Sequence, residues 1–164
     1  MAKQENYARP REPDFDPYKG DLDALHAWKQ FGGLTLGQAH TKFAENPIYY
    51  QEDFMFMGGT AFAYYFPVLE NHLQSAHDID PYGDHESWII ALCIQTQFEG
   101  DNLPRVQHLA PRVLTLAEFV QSNISLFGVG PIEQQRVSEA WIKMVHHVEA
   151  AIQTVSPKVG RRKR

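Results

Sequence analysis

The chain has 164 residues, enough for one domain with a hydrophobic core, and its 43% hydrophobic and 12% aromatic content excludes disorder over most of its length. Lys158, Arg161, Arg162, Lys163 and Arg164 crowd the C-terminus, so the net charge of -5 conceals a body near -10, a poor match for a phosphate backbone. No apolar run approaches the ~18 residues of a membrane span, the lone Cys93 excludes an intrachain disulfide or a cysteine-based zinc site, and the N-terminus lacks the apolar segment of a secretory signal.

A cytoplasmic protein is therefore expected, with no membrane span, no specific nucleic acid and no cofactor. Residues 1–20 carry Pro10, Pro13 and Pro17 among charges of both signs and read as an irregular arm. Tyr7, Phe15 and Tyr18 are the side chains able to pin that arm to the body. Leu22, Leu25, Trp28 and Phe31 recur every three residues, predicting a short amphipathic helix that ends at Gly32-Gly33. Thr35 and Gln38 fit a capping box for the next helix, whose face is Leu36, Ala39, His40 and Phe43 and whose stop is Asn46-Pro47.

The most aromatic part of the chain follows, from Tyr49 to Leu73. A turn of helix is predicted near Ile48 to Phe54, then a break at Gly58-Gly59. A helix around Thr60 to Ser75 should present Phe62, Phe66, Leu69 and Leu73, with a kink or restart at Pro67. Residues 76–84 read as a polar, turn-rich linker, with Asp84 placed to cap a helix over Glu86 to Phe98. That run is apolar on nearly all sides, so it is central and buried. Helix is favoured over strand there because its neighbours are helical. Residues 99–113, with Pro104 and Pro111, read as a loop. Thr115 and Glu118 suggest a capping box opening a helix with Leu116, Phe119, Val120, Ile124 and Phe127, closed by Gly128 to Gly130. Pro131 begins a last helix, striped by Val137, Trp141, Met144, Val145, Val148, Ile152 and Val155.

The polar candidates are few. Glu52 and Asp53 sit inside the aromatic stretch, where a carboxylate in an apolar pocket acquires a raised pKa and can serve as acid or base. The plainer reading pairs such a carboxylate with a tyrosine hydroxyl, a backbone amide or an arginine such as Arg105. Tyr49, Tyr50, Phe56, Tyr64 and Tyr65 are the candidates for contacting a partner or ligand, because aromatic residues are enriched in interfaces. His72, His77, Asp78, Asp80, Asp84, His85 and Glu86 cluster with metal-ligand chemistry. They fail the calcium-loop template, since Tyr82 and Ile89 stand where oxygen ligands belong, and no metal is expected. His40 reads as a packed histidine, His146 as solvated, and Cys93 as a small buried apolar residue. Asn123-Ile124-Ser125 matches a glycosylation acceptor by chance, and no nucleophile elbow, phosphate loop or dinucleotide fingerprint is present.

The segment from Trp28 to Leu73 resembles the central part of small uncharacterised bacterial domains. The shared order is a helix, a tyrosine with an acidic pair, an aromatic/Met-Gly turn and an aromatic run ending in proline. That resemblance implies a recurring structural unit containing Glu52, Asp53, Met57, Gly58, Phe62, Tyr65, Phe66 and Pro67, and it implies no activity. The expectation is an all-α, compact, single-domain bundle of about five to seven helices over residues 21–155, with a basic flexible tail at 156–164. A non-enzymatic protein-interaction role is the leading expectation: an accessory, regulatory or immunity-like domain that binds a protein partner or itself. A ligand or substrate site at Glu52/Asp53 and a metal site over His77 to Glu86 are the alternatives.

Overall fold

Every regular element among the described residues is helical, as the periodicities predict; the computed structural model describes residues 8–75 and 86–156. Six helices have ten residues or more: α2 (Leu22–Phe31), α3 (Leu36–Glu45), α6 (Gly59–Gln74), α7 (Ser87–Gln97), α9 (Ala110–Ser122) and α10 (Pro131–Val155). One-turn helices join them: α1 (Glu12–Phe15), α4 (Pro47–Tyr50), α5 (Asp53–Phe56) and α8 (Leu103–Val106). The helices thus exceed the five to seven expected, because single turns carry no periodic signal.

Local chemistry explains most boundaries. Asp21 caps α2 by accepting from the amides of Asp23 and Ala24. Thr35 and Gln38 form the predicted reciprocal capping box of α3. Asn46 ends α3 and caps α4 through the amide of Tyr49, with Pro47 in the first turn. Gly130, at φ 85°, turns the chain into α10, where Pro131 occupies the first turn.

Helix α6 organises the rest. It packs against α1, α3, α7, α8 and α9 and buries Ala61, Phe62, Tyr65, Phe66, Val68, Leu69 and Leu73. Pro67 does not restart it: the helix runs unbroken from Gly59 to Gln74, held from several sides by tertiary packing that outweighs one missing backbone bond. Helix α7, rather than the competing strand, lies between α5, α6 and α10. Its buried face is Ser87, Ile90, Ala91, Cys93, Ile94 and Gln97, while Leu92 is exposed. The stripe of α10 packs on α7 and α9 with Val137, Trp141, Met144 and Val148 inside. The Arg136 guanidinium lies over the Trp88 ring, 4.1 Å from its centre.

Four expectations are corrected. Residues 99–113 are not a loop; they hold two 3₁₀ turns, helix α8 and the start of α9. Pro104 and Pro111 sit in first helical turns, where a missing amide hydrogen costs nothing. Thr115 therefore opens no helix; it lies inside α9 and donates its hydroxyl to the Pro111 carbonyl at 3.0 Å. The inward face of α2 is Ala24, Ala27 and Phe31, whereas Leu22 is 81% exposed. The N-terminal arm is not wholly irregular: α1 lies within it and Phe15 is fully buried, in ring contact with Trp28 and Tyr65 at 5.3 and 5.9 Å.

Tyr65 ties this core to the end of α2. Its hydroxyl stands 2.8 Å from both the Phe31 and the Leu34 carbonyl oxygens, and burial pushes its pKa up to about 12. The neutral phenol is thus the form the fold prefers. Its contribution is complete below the ordinary phenol value of about 10 and is lost as pH rises toward the folded value. Tyr65→Phe is expected to cost about 1–3 kcal/mol at neutral pH, from carbonyls left without that donor. It should also lose less stability than the parent between pH 10 and 12. Urea denaturation across that range checks both, and an equal alkaline loss in the two proteins would refute the assignment.

Candidate functional site: the His26–Asp53 pair and its aromatic rim

Glu52 and Asp53 diverge because they are adjacent at the start of a helical turn. Glu52 is exposed and Asp53 is 5% exposed. Asp53 meets neither a tyrosine hydroxyl nor Arg105, whose Cβ lies beside Gly59 instead. Its Oδ1 is 2.7 Å from Nδ1 of His26, on the outer face of α2, and its Oδ2 is buried with no hydrogen-bond partner. The His26 side chain is 45% exposed against 6% for that of Asp53. Burial pushes the Asp53 carboxyl above the ordinary carboxylate range; the hydrogen bond and charge of His26 and the charge of Lys42 pull it part of the way back.

Lys42 reaches in from α3. Its ammonium donates to the Gln30 carbonyl at 2.6 Å and lies over the Tyr50 and Phe31 rings, 5.3 and 5.9 Å from their centres. The Tyr49 ring stands edge-on to His26 at 6.2 Å and to Tyr50 at 4.9 Å. Tyr49 is 54% exposed and Phe56, one turn beyond Asp53, is 43% exposed. Leu22 lies one turn before His26 on the same face of α2. The predicted aromatic candidates thus divide. Tyr49 and Phe56 line the surface, Tyr50 and Tyr64 are half-buried, and Tyr65 is sealed in the core where no partner reaches it.

His77, Asp78, Asp80, Asp84 and His85 lie outside the described residues. Among the described residues no group of three or more His, Cys, Asp or Glu is placed to hold a metal ion. Cys93 is buried, its thiol 3.4 Å from the Gln51 carbonyl oxygen, and burial pushes its pKa up, so it is no nucleophile. His146 is exposed, while His147 is half-buried against the Phe98 carbonyl and Glu99.

Of the two carboxylates that the sequence offers, Glu52 and Asp53, only Asp53 makes this contact, and its partner His26 stands 27 positions away on α2, where no local pattern joins the two. No helix of the described residues is long and apolar enough to cross a membrane. No family model, curated protein or solved structure matches this chain.

Proposed function

We propose that this chain is a non-enzymatic protein-interaction domain, of accessory or regulatory type, that docks a protein partner through the surface formed by α2, α4 and α5. One observation carries the reading: Leu22 on α2, Tyr49 on α4 and Phe56 on α5 are all exposed, Leu22 one turn from His26, Tyr49 in ring contact with it and Phe56 one turn from Asp53. Ile48, beside Tyr49, is 40% exposed and extends that surface. Exposed aromatic and aliphatic side chains gathered on one surface mark interaction sites, whereas single exposed ones do not. Asp23, Lys29 and Glu52 are exposed beside these residues, giving the surface a rim of both charges.

The test places a photoreactive benzoylphenylalanine at Leu22, Tyr49 or Phe56 and, as reference, at Ile132, which is 87% exposed at the start of α10. Irradiation in the native cytoplasm is expected to give one discrete covalent product from the first three positions and none from Ile132. Light scattering then distinguishes a second copy from a different protein. Equal products from all four positions, or none from any, would defeat the reading.

A further inference from the structure

We propose that the partner docked by this surface is a second copy of the chain, the two molecules meeting across a two-fold axis at His26 with their α2 helices antiparallel. The inference rests on the docking reading and names its partner.

Helix α2 is polarised along its outer face. Asp23 stands in its first turn and Lys29 in its last, both exposed, and His26 lies midway, three residues from each. On an α-helix those positions share one side, spread about 60° to either side of His26. Among the described residues neither the Asp23 nor the Lys29 side chain is engaged in a hydrogen bond or an ion pair. The other charged groups nearby are already held. The Asp21 carboxylate caps α2, Lys42 donates to the Gln30 carbonyl, and Asp53 is buried beneath His26.

A face with an acid at one end, a base at the other and an imidazole between them is complementary to its own reverse. With two α2 helices antiparallel and His26 at the axis, each Asp23 comes level with the partner's Lys29. Each positive N-terminal end of α2 also lies beside the negative C-terminal end of the other. A partner of one charge sign does not fit in this way: an acidic one opposes Asp23 and a basic one opposes Lys29. Lys19 precedes α2, and in this register it comes level with the turn that follows the partner's α2. Glu52 lies toward α7, where its charge adds to burial in raising the pKa of the Cys93 thiol.

Exposed ion pairs contribute little affinity, so these charges set the register and apolar contact supplies the binding. A stable interface covers about 800 Å² on each partner, more than a ten-residue helix offers, so α4 and α5 have to join it. Tyr49 does so at the axis, through its ring contact with His26 at 6.2 Å, and Phe56 is exposed on α5. Leu22, one turn before His26, comes level with the partner's Gln30 and meets the aliphatic stem of the partner's Lys29.

The test is sedimentation equilibrium of the whole chain, Asp23→Lys, Lys29→Asp, the double exchange and Ile132→Ser, with folding checked by thermal melts. The parent and Ile132→Ser should be dimers of equal affinity. Either single reversal sets like charges level at both symmetry-related contacts and should weaken the dimer at least about tenfold. The double exchange should return to within about threefold of the parent. An equimolar mixture of the two single variants should form a mixed dimer tighter than either variant forms alone. A parent dimer that ignores the single reversals, or a double exchange no tighter than the singles, would overturn the proposal. So would a parent that stays monomeric at ~100 µM. If that monomer still gives benzoylphenylalanine products with a different protein from Leu22, Tyr49 and Phe56, the docking surface stands and only the second copy falls. If it gives none, both readings fall.

Discussion

Gly58→Ala is expected to cost about 3 kcal/mol or more, a large share of the 5–15 kcal/mol that holds a domain together. The backbone there is at φ -58°, ψ 155°, a conformation open to any residue, so the requirement for glycine is one of space. A Cβ at this position would stand less than 3 Å from the Asp14 carbonyl oxygen, 3.1 Å from Pro17 Cδ and 3.2 Å from the Phe15 carbonyl oxygen. These are mostly backbone atoms of the N-terminal segment, which cannot swing aside as a side chain would. The Gly58 amide donates to the Phe15 carbonyl at 2.8 Å, so the same shift that relieves the clash breaks this bond. Phe15 is fully buried between Trp28 and Tyr65, and lifting residues 14–17 withdraws its ring from the core. The expected loss is therefore close to that of Phe15→Ala, about 3–5 kcal/mol by the usual large-to-small range. Urea denaturation measures it, and a double-mutant cycle identifies the cause. If both changes act by undocking Phe15, the double variant should be little worse than either alone. A loss under about 0.5 kcal/mol, or simple additivity, would show that the N-terminal segment is not anchored in this way.

What the sequence disclosed and what it withheld follow from the range of the interactions. The capping box of Thr35 and Gln38, the stop at Asn46-Pro47 and the proline start of α10 are written within a few residues, and each was legible. The α10 stripe was legible because 25 residues sample its period many times. Pro104 and Pro111 were misread because proline breaks a helix from within but opens one from its first turn, and the residue alone does not say which. On α2 the large residues Leu22, Leu25 and Trp28 suggested one face. The close approach of neighbouring elements instead selected the small Ala24 and Ala27 for the interior. Of the candidate site, Asp53 was legible as a carboxylate among aromatics, but its partner was set by the crossing of α2 and α5, which no local pattern records. The aromatic stretch divides between core and surface because α4 and α5 are single turns, and a single turn necessarily points some residues outward.

Gln97→Leu is expected to destabilise the protein by about 2–5 kcal/mol, although leucine is apolar and the site is fully buried. Helix α5 is one turn long and the chain leaves it abruptly at Met57, so its last carbonyls find no amide further along the chain. The Gln97 amide nitrogen, on the last turn of α7, supplies them instead: it lies 3.0 Å from the Phe54, 2.7 Å from the Met57 and 3.4 Å from the Met55 carbonyl oxygen. Leucine fills the volume and satisfies none of them, leaving two well-placed buried acceptors unpaired at about 1–3 kcal/mol each. Gln97→Glu separates this account from simple packing. A carboxylate there faces acceptors only, so the folded state favours the protonated acid and raises its pKa above the unfolded value of about 4.3. The acid form donates to one carbonyl. Its stability is therefore fullest below pH 4.3 and is lost as pH rises through the folded value. Measured by urea denaturation, Gln97→Glu should be less stable than Gln97→Leu at pH 7 and should close the gap on acidification. A leucine variant within about 1 kcal/mol of the parent, or a glutamate variant whose deficit ignores pH, would mean that the carbonyls of α5 do not depend on this amide. Helix α5 carries Asp53 and Phe56, so its loosening should broaden the NMR signals of His26 before the helices of the core melt.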